Sequence, residues 1–203
     1  KKLIFCIVSN NKSNVLDTIR SRCRVLNFAQ LNDTDTKQII NNSTENVDEE
    51  DLYKLNIIAN GSPGKALTIL NNNGIEIYDY IINIFLTLPI VKQDTIDKLM
   101  QCTSISKNSF GIKILNLLIT IFFNRTYRRA LKLIKSDISN NEKDAQDKFI
   151  NNYNISDIPT LWENIYTEIN NTSDLNLDKK QAIINFIDNI TDLKINKKIL
   201  DLY

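Results

Sequence analysis

Three arginines crowd the stretch Thr18-Ile19-Arg20-Ser21-Arg22-Cys23-Arg24. A guanidinium carries five donors in a planar fork, and it can clamp the oxygens of a phosphoryl group in transfer as negative charge develops there. Arg22 is the candidate for that work. Ser21 can orient the backbone around it through hydroxyl hydrogen bonds, and Cys23 is expected to be a small buried packing residue rather than a nucleophile. Taken alone, the tripeptide also fits surface charges flanking a short helix.

Other chemistries find little support. Histidine is absent, which removes the commonest general base and metal ligand. Cys6, Cys23 and Cys102 lie too far apart for a paired metal knuckle, and their odd number argues against a secreted disulfide framework, so a reducing cytoplasm is expected. The glycines are Gly61, Gly64, Gly74 and Gly111, and none belongs to a Gly-x-x-x-x-Gly-Lys-Thr phosphate loop, so these residues cannot hydrolyse ATP themselves. The 25 basic and 24 acidic side chains nearly cancel, which leaves no global electrostatic footprint for nucleic acid. A basic stripe does occur locally: Arg125, Arg128, Arg129, Lys132 and Lys135 fall on one side of an expected helix over 108–135, with Tyr127, Ala130, Leu131 and Ile134 on the other. It reads as a solvated face or an intersubunit contact, with a phosphate-binding surface as the alternative, because no aromatic residues interleave the charges.

The elements that must position these groups are mainly helical. Residues 3–8 (Leu-Ile-Phe-Cys-Ile-Val) form a continuous apolar, β-branched run, the pattern of a strand buried on both faces, and Val25 to Phe28 suggests a second. A chain that opens on such a strand is expected to be part of a larger protein. From Asp33 the signals turn helical. Asp33 or Thr34 can cap a helix to about Ser43; the acids Asp48 to Asp51 open another to about Asn60; Gly61 stops it. Ser62-Pro63 then reads as N-cap and first helical residue. Longer helices are expected over about 75–87, 93–102, 108–135, 142–153, 158–171 and 178–191, the last capped by Asp178. Trp162, Ile165, Tyr166 and Ile169 recur as a core-facing stripe. No run is long and apolar enough to suggest a membrane helix.

Ser9 to Arg24, SNNKSNVLDTIRSRCR, resembles the segment from sensor 1 to the Ser-Arg-Cys motif of AAA+ clamp-loader subunits. Gly61 to Leu67, GSPGKAL, resembles their sensor 2 helix start in the Ser-Pro-Gly form of the delta-prime branch. Leu161-Trp162-Glu163 and the stretch from Leu175 to Gln181 look like the closing helices of that branch's collar domain. The resemblance implies the C-terminal portion of a delta-prime subunit of the bacterial DNA polymerase III clamp loader. Residues 1–30 would then be the remnant of an AAA+ α/β core with one or two strands, 31–74 a three-helix lid, and 75–203 a helical collar that joins subunits. Asn10 takes the sensor 1 position, and Gly64 stands where the ATP-hydrolysing subunits carry the sensor 2 arginine. Lys65, about 100° further around a helix, is a poor substitute.

On this resemblance the chain is a non-hydrolysing subunit. It would bind no cofactor or metal itself, assemble with other loader subunits in the cytoplasm, and donate Arg22 in trans to ATP held by a neighbour. It would meet primed DNA only through the complex and would have no membrane contact. The alternatives are part of the ATP-hydrolysing tau/gamma-type subunit, which Gly64 disfavours, and a helical adaptor unrelated to replication.

Overall fold

Isoleucines and phenylalanines at helical spacing build the core. In the computed structural model, which describes the backbone of residues 3–9, 11–44, 47–105, 110–174 and 179–200, ten α-helices follow a short 3₁₀ turn at Lys12–Asn14. They are α1 (Asp17–Arg20), α2 (Asp33–Ser43), α3 (Glu49–Ala59), α4 (Pro63–Leu70), α5 (Gly74–Thr87), α6 (Gln93–Ile105), α7 (Phe110–Ala130), α8 (Asn140–Asn152), α9 (Asp157–Asp174) and α10 (Lys179–Leu200). The chain divides into two units, residues 1–30 and residues 31–203.

In the larger unit, α5 packs against α6, α7 and α8, while α9 lies against α7 and α10. The contact is aromatic at its centre. Phe85 of α5 stacks on Phe122 of α7, with ring centroids 4.3 Å apart, and meets Phe149 of α8 edge-on at 5.2 Å. Offset-stacked and edge-to-face pairs suit the ring quadrupole and add to the gain from burying apolar area. Helices α2, α3 and α4 pack on one another, and α3 and α4 also touch α5. Gly74 permits the α4–α5 junction, because a Cβ there would meet the Ile69 carbonyl oxygen at 2.8 Å.

Helix punctuation follows the local chemistry with two changes. Asn32 rather than Asp33 or Thr34 caps α2, its side-chain oxygen accepting from the Asp35 N–H at 2.8 Å. Helix α3 ends through two left-handed residues, Asn60 and Gly61, and Ser62 occupies the N-cap of α4 without a side-chain capping bond. The expected cap Asp178 lies outside the described residues.

The two expected strands do not form, and among the described residues there is no strand. Residues 3–9 and 24–32 adopt no regular structure, and Phe5 and Phe28 are 84% and 92% exposed. A β-branched run favours extended backbone, but a strand gains its stability from a hydrogen-bonded ladder, and neither segment pairs with the other. The α9 stripe is also rotated from its expected position. Ile158, Leu161, Ile165 and Ile169 are buried, whereas Trp162 is only partly covered and Tyr166 is exposed. Both aromatics therefore sit at the edge of the core.

Helix α7 stops at Ala130, short of the expected 135. Lys132 adopts a left-handed conformation, φ 59°, and the N–H groups of Lys132 and Leu133 donate to the carbonyls of Arg129 and Arg128, both at 2.8 Å. That pairing closes the helix in the Schellman pattern, whose left-handed residue is usually glycine. Lys132→Gly is expected to raise stability by about 0.5 kcal/mol in urea denaturation, because the Cβ penalty outweighs the entropy glycine adds to the unfolded chain. A loss of stability would show that the lysine stem contributes more than its backbone strain costs.

Candidate functional site

Arg22 follows α1 on a turn held by its own backbone. The N–H groups of Ser21, Arg22 and Cys23 donate to the carbonyls of Asp17, Ile19 and Arg20 at 2.9, 3.0 and 3.2 Å, and Ser21 Oγ donates to the Thr18 carbonyl at 3.3 Å. Arg20 is engaged with Asp17 at 2.5 Å. Arg22 is exposed and, among the described residues, forms no ion pair, so its guanidinium is open to an acceptor on another molecule. Cys23 corrects the expectation of burial: it is exposed, because the described residues before Leu31 build no packed layer over it. Asn10 lies outside the described residues.

Gly64 is the second residue of α4 and is exposed; a Cβ built on it meets nothing within 4 Å. No close packing requires glycine there, and the position would accept a Cβ without a clash. Lys65 beside it is half-buried, and that burial lowers the pKa of its ammonium.

The basic stripe does not survive as a solvated face. Arg125 Nε and Nη2 donate to Glu142 Oε1 and Oε2 at 2.6 and 2.8 Å, and Nη2 also reaches the Ser136 carbonyl at 3.0 Å. Arg129 pairs with Asp137 and donates to Gln146 Oε1 at 2.6 Å. Because the helix ends at Ala130, Lys132 and Lys135 leave its face altogether, and Leu131, expected on the opposite side, is exposed. What stays in solvent is Arg128, Lys132 and Lys135.

Glu142, which the reading of the sequence passed over, is fully buried at the start of α8 and is the hub of this network. Besides Arg125 it accepts from Tyr78 Oη at 2.7 Å, the Ile138 N–H at 3.1 Å and Gln146 Nε2 at 3.1 Å. Burial, followed by the neighbouring carboxylate, pushes the Tyr78 phenol well above its ordinary pKa, so it remains a donor. Burial works against the Arg125 charge, yet the Glu142 partnership outweighs it and its pKa is raised. The local signal was present: Ser139-x-x-Glu142 is a capping-box spacing, and Ser139 Oγ accepts from the Glu142 N–H at 3.1 Å. Nothing local, however, indicated that the carboxylate turns inward.

A pocket of about 240 Å³ opens between α7 and the first turns of α9. Its walls are Thr120, Phe123, Asn124 and Tyr127 on one side and Ile158, Pro159 and Trp162 on the other. Trp162 Nε1 donates to Thr120 Oγ1 at 3.2 Å, which fixes the indole across the two helices. No cluster of three or more metal-ligating side chains occurs among the described residues, and no described helix is long and apolar enough to cross a membrane.

No protein-family model, curated protein or solved structure matches the chain. The functional reading therefore rests on the residues themselves.

Proposed function

We propose that the chain is a non-hydrolysing clamp-loader subunit of the delta-prime kind in DNA polymerase III, and that Arg22 reaches ATP bound by the neighbouring subunit. On this reading residues 31–74 form the lid, residues 75–203 form the collar that holds the ring of subunits, and the loader places a sliding clamp on primed DNA. The observation that carries the proposal is the Ser21-Arg22-Cys23 turn, which leaves an arginine exposed and without an ion pair among the described residues, inside a segment that resembles the family's motif. Gly64 supports the non-hydrolysing form over the ATP-hydrolysing alternative, since the position could carry a side chain and lacks the arginine of that alternative.

Assembly tests the proposal directly. Mixed with the ATP-hydrolysing and clamp-opening subunits of the loader, the chain is expected to elute with them in one stoichiometric complex on size exclusion. Separate elution at micromolar concentrations would reject the assignment.

A further inference from the structure

The clamp-loader reading makes no use of the recess between α7 and α9. At about 240 Å³ it has room for one aromatic side chain, and its walls carry Phe123, Tyr127 and Trp162 but no charge. The aromatic surface continues outside it: Tyr166, one turn along α9, is exposed, with its ring centroid 5.5 Å from that of Trp162. Two polar groups at this end of α7 are unspent. The Asn124 side-chain amide, in the wall of the recess, has no partner among the described residues. Arg128, one turn further on the same side of the helix, is exposed and forms no ion pair among them. By contrast Asp157, which opens α9, is engaged by Asn154 and Ser156.

We propose that this recess receives an aromatic side chain of a partner polypeptide, which is held at the rim by an acidic residue paired with Arg128. Tryptophan, tyrosine and arginine around a pocket that closes over one anchor are the residue types that carry most of the binding energy at protein interfaces. The peptide group beside the anchor offers a donor and an acceptor, and the Asn124 amide matches both. Spacing narrows the partner further. Asn124 and Arg128 stand about 6 Å apart along the helix axis, and an extended chain covers about that distance in two residues, so the acid belongs two positions from the anchor. A nucleic-acid strand calls for a track of cations rather than one. A membrane surface calls for apolar groups that project outward, whereas these line a hollow. A free small molecule would fill the recess but leave Tyr166 and Arg128 unused.

Trp162 is the sole tryptophan, so its emission reports on the recess. Titrating the full chain with the acetylated, amidated peptide Asp-Gly-Phe-Gly-Asp, which sets an acid on either side of the anchor, is expected to change that emission to saturation at millimolar peptide. Replacing the peptide's Phe by Ala should weaken binding by about tenfold or more, the loss expected for one buried ring. Replacing both Asp by Asn should weaken it by about two- to fivefold, as for an exposed ion pair. Arg128→Ala should cost the Asp peptide the same factor and abolish its advantage over the Asn peptide, with helicity unchanged because the side chain is exposed. Tyr127→Ala should weaken both peptides alike, and Asn124→Ala offers a second test of the recess should Tyr127→Ala lose its fold. The proposal is overturned if the emission does not respond at millimolar peptide, if the Asp and Asn peptides bind the unmodified chain equally, or if the preference survives Arg128→Ala. A stronger response to an oligothymidylate, to vesicles containing anionic lipid or to a rise in the chain's own concentration would likewise overturn it and assign the recess to a nucleic acid, a membrane or a second copy. The titration uses this chain alone, so its outcome is independent of whether the clamp-loader proposal holds.

Discussion

On the clamp-loader proposal, Arg22→Ala is expected to lower ATP hydrolysis at the neighbouring subunit's site in the reconstituted loader on primed DNA by ~10³-fold or more, the range seen where an arginine supplied from a neighbouring subunit stabilises charge on the transferring phosphoryl group. The chain's own fold should not change, because the Arg22 side chain is exposed and the turn around it is held by backbone hydrogen bonds that alanine keeps. Arg22→Lys should recover little, since an ammonium offers a point charge where a fork of donors is needed. Arg20→Ala supplies the contrast: that side chain is held by Asp17, so its removal should leave hydrolysis within a few-fold of the unmodified loader. The informative experiment compares the three variants in one steady-state ATPase assay with primed DNA and clamp present. Equal rates for Arg22→Ala and the unmodified chain would remove Arg22 from the mechanism.

The second large effect concerns Glu142. Its replacement by alanine leaves the mostly buried Arg125 guanidinium without its counter-charge, and it removes the acceptor for the Tyr78 hydroxyl and the Ile138 N–H. Breaking a buried pair from one side typically costs about 3–5 kcal/mol, chiefly because the orphaned charge stays desolvated. A domain of this kind holds only about 5–15 kcal/mol in total, so Glu142→Ala should fall close to the limit of folding. Urea denaturation measures the loss, and the double variant Glu142→Leu/Arg125→Met should recover the part due to the orphaned charge, while the Tyr78 hydroxyl and the Ile138 N–H still lack their acceptor. A single-variant cost below about 1 kcal/mol would mean that water enters the site and satisfies Arg125 in place of the carboxylate.

Much of the helical scaffold is legible without coordinates, because its signals are local. Pro63 starts α4 where its missing N–H does no harm, Gly61 supplies a positive φ after α3, and the spacing of Ile77, Ile81, Ile84 and Phe85 marks the buried face of α5. The errors fall where the outcome depends on residues distant in sequence. Leu3 to Val8 has the composition of a buried strand, but composition cannot provide the neighbouring strands that a ladder requires. Trp162 satisfies the periodicity of a core position, yet α9 turns Leu161 inward and leaves the indole beside Thr120 at the edge of a pocket.

The basic stripe shows the division of labour most clearly. Five cations within 125–135 and the capping spacing of Ser139 and Glu142 are facts of the sequence by itself, whereas the end of α7 at Ala130 is not. Which of those cations face water was decided only in three dimensions. The loop from Leu131 to Ser139 folds α8 back along α7, bringing a carboxylate 17 positions away onto Arg125, and α9 places an aromatic ring beside Tyr127. Helix formation is governed by hydrogen bonds between residues four apart, whereas the partner of a charge is whatever the packing of separate helices leaves within reach.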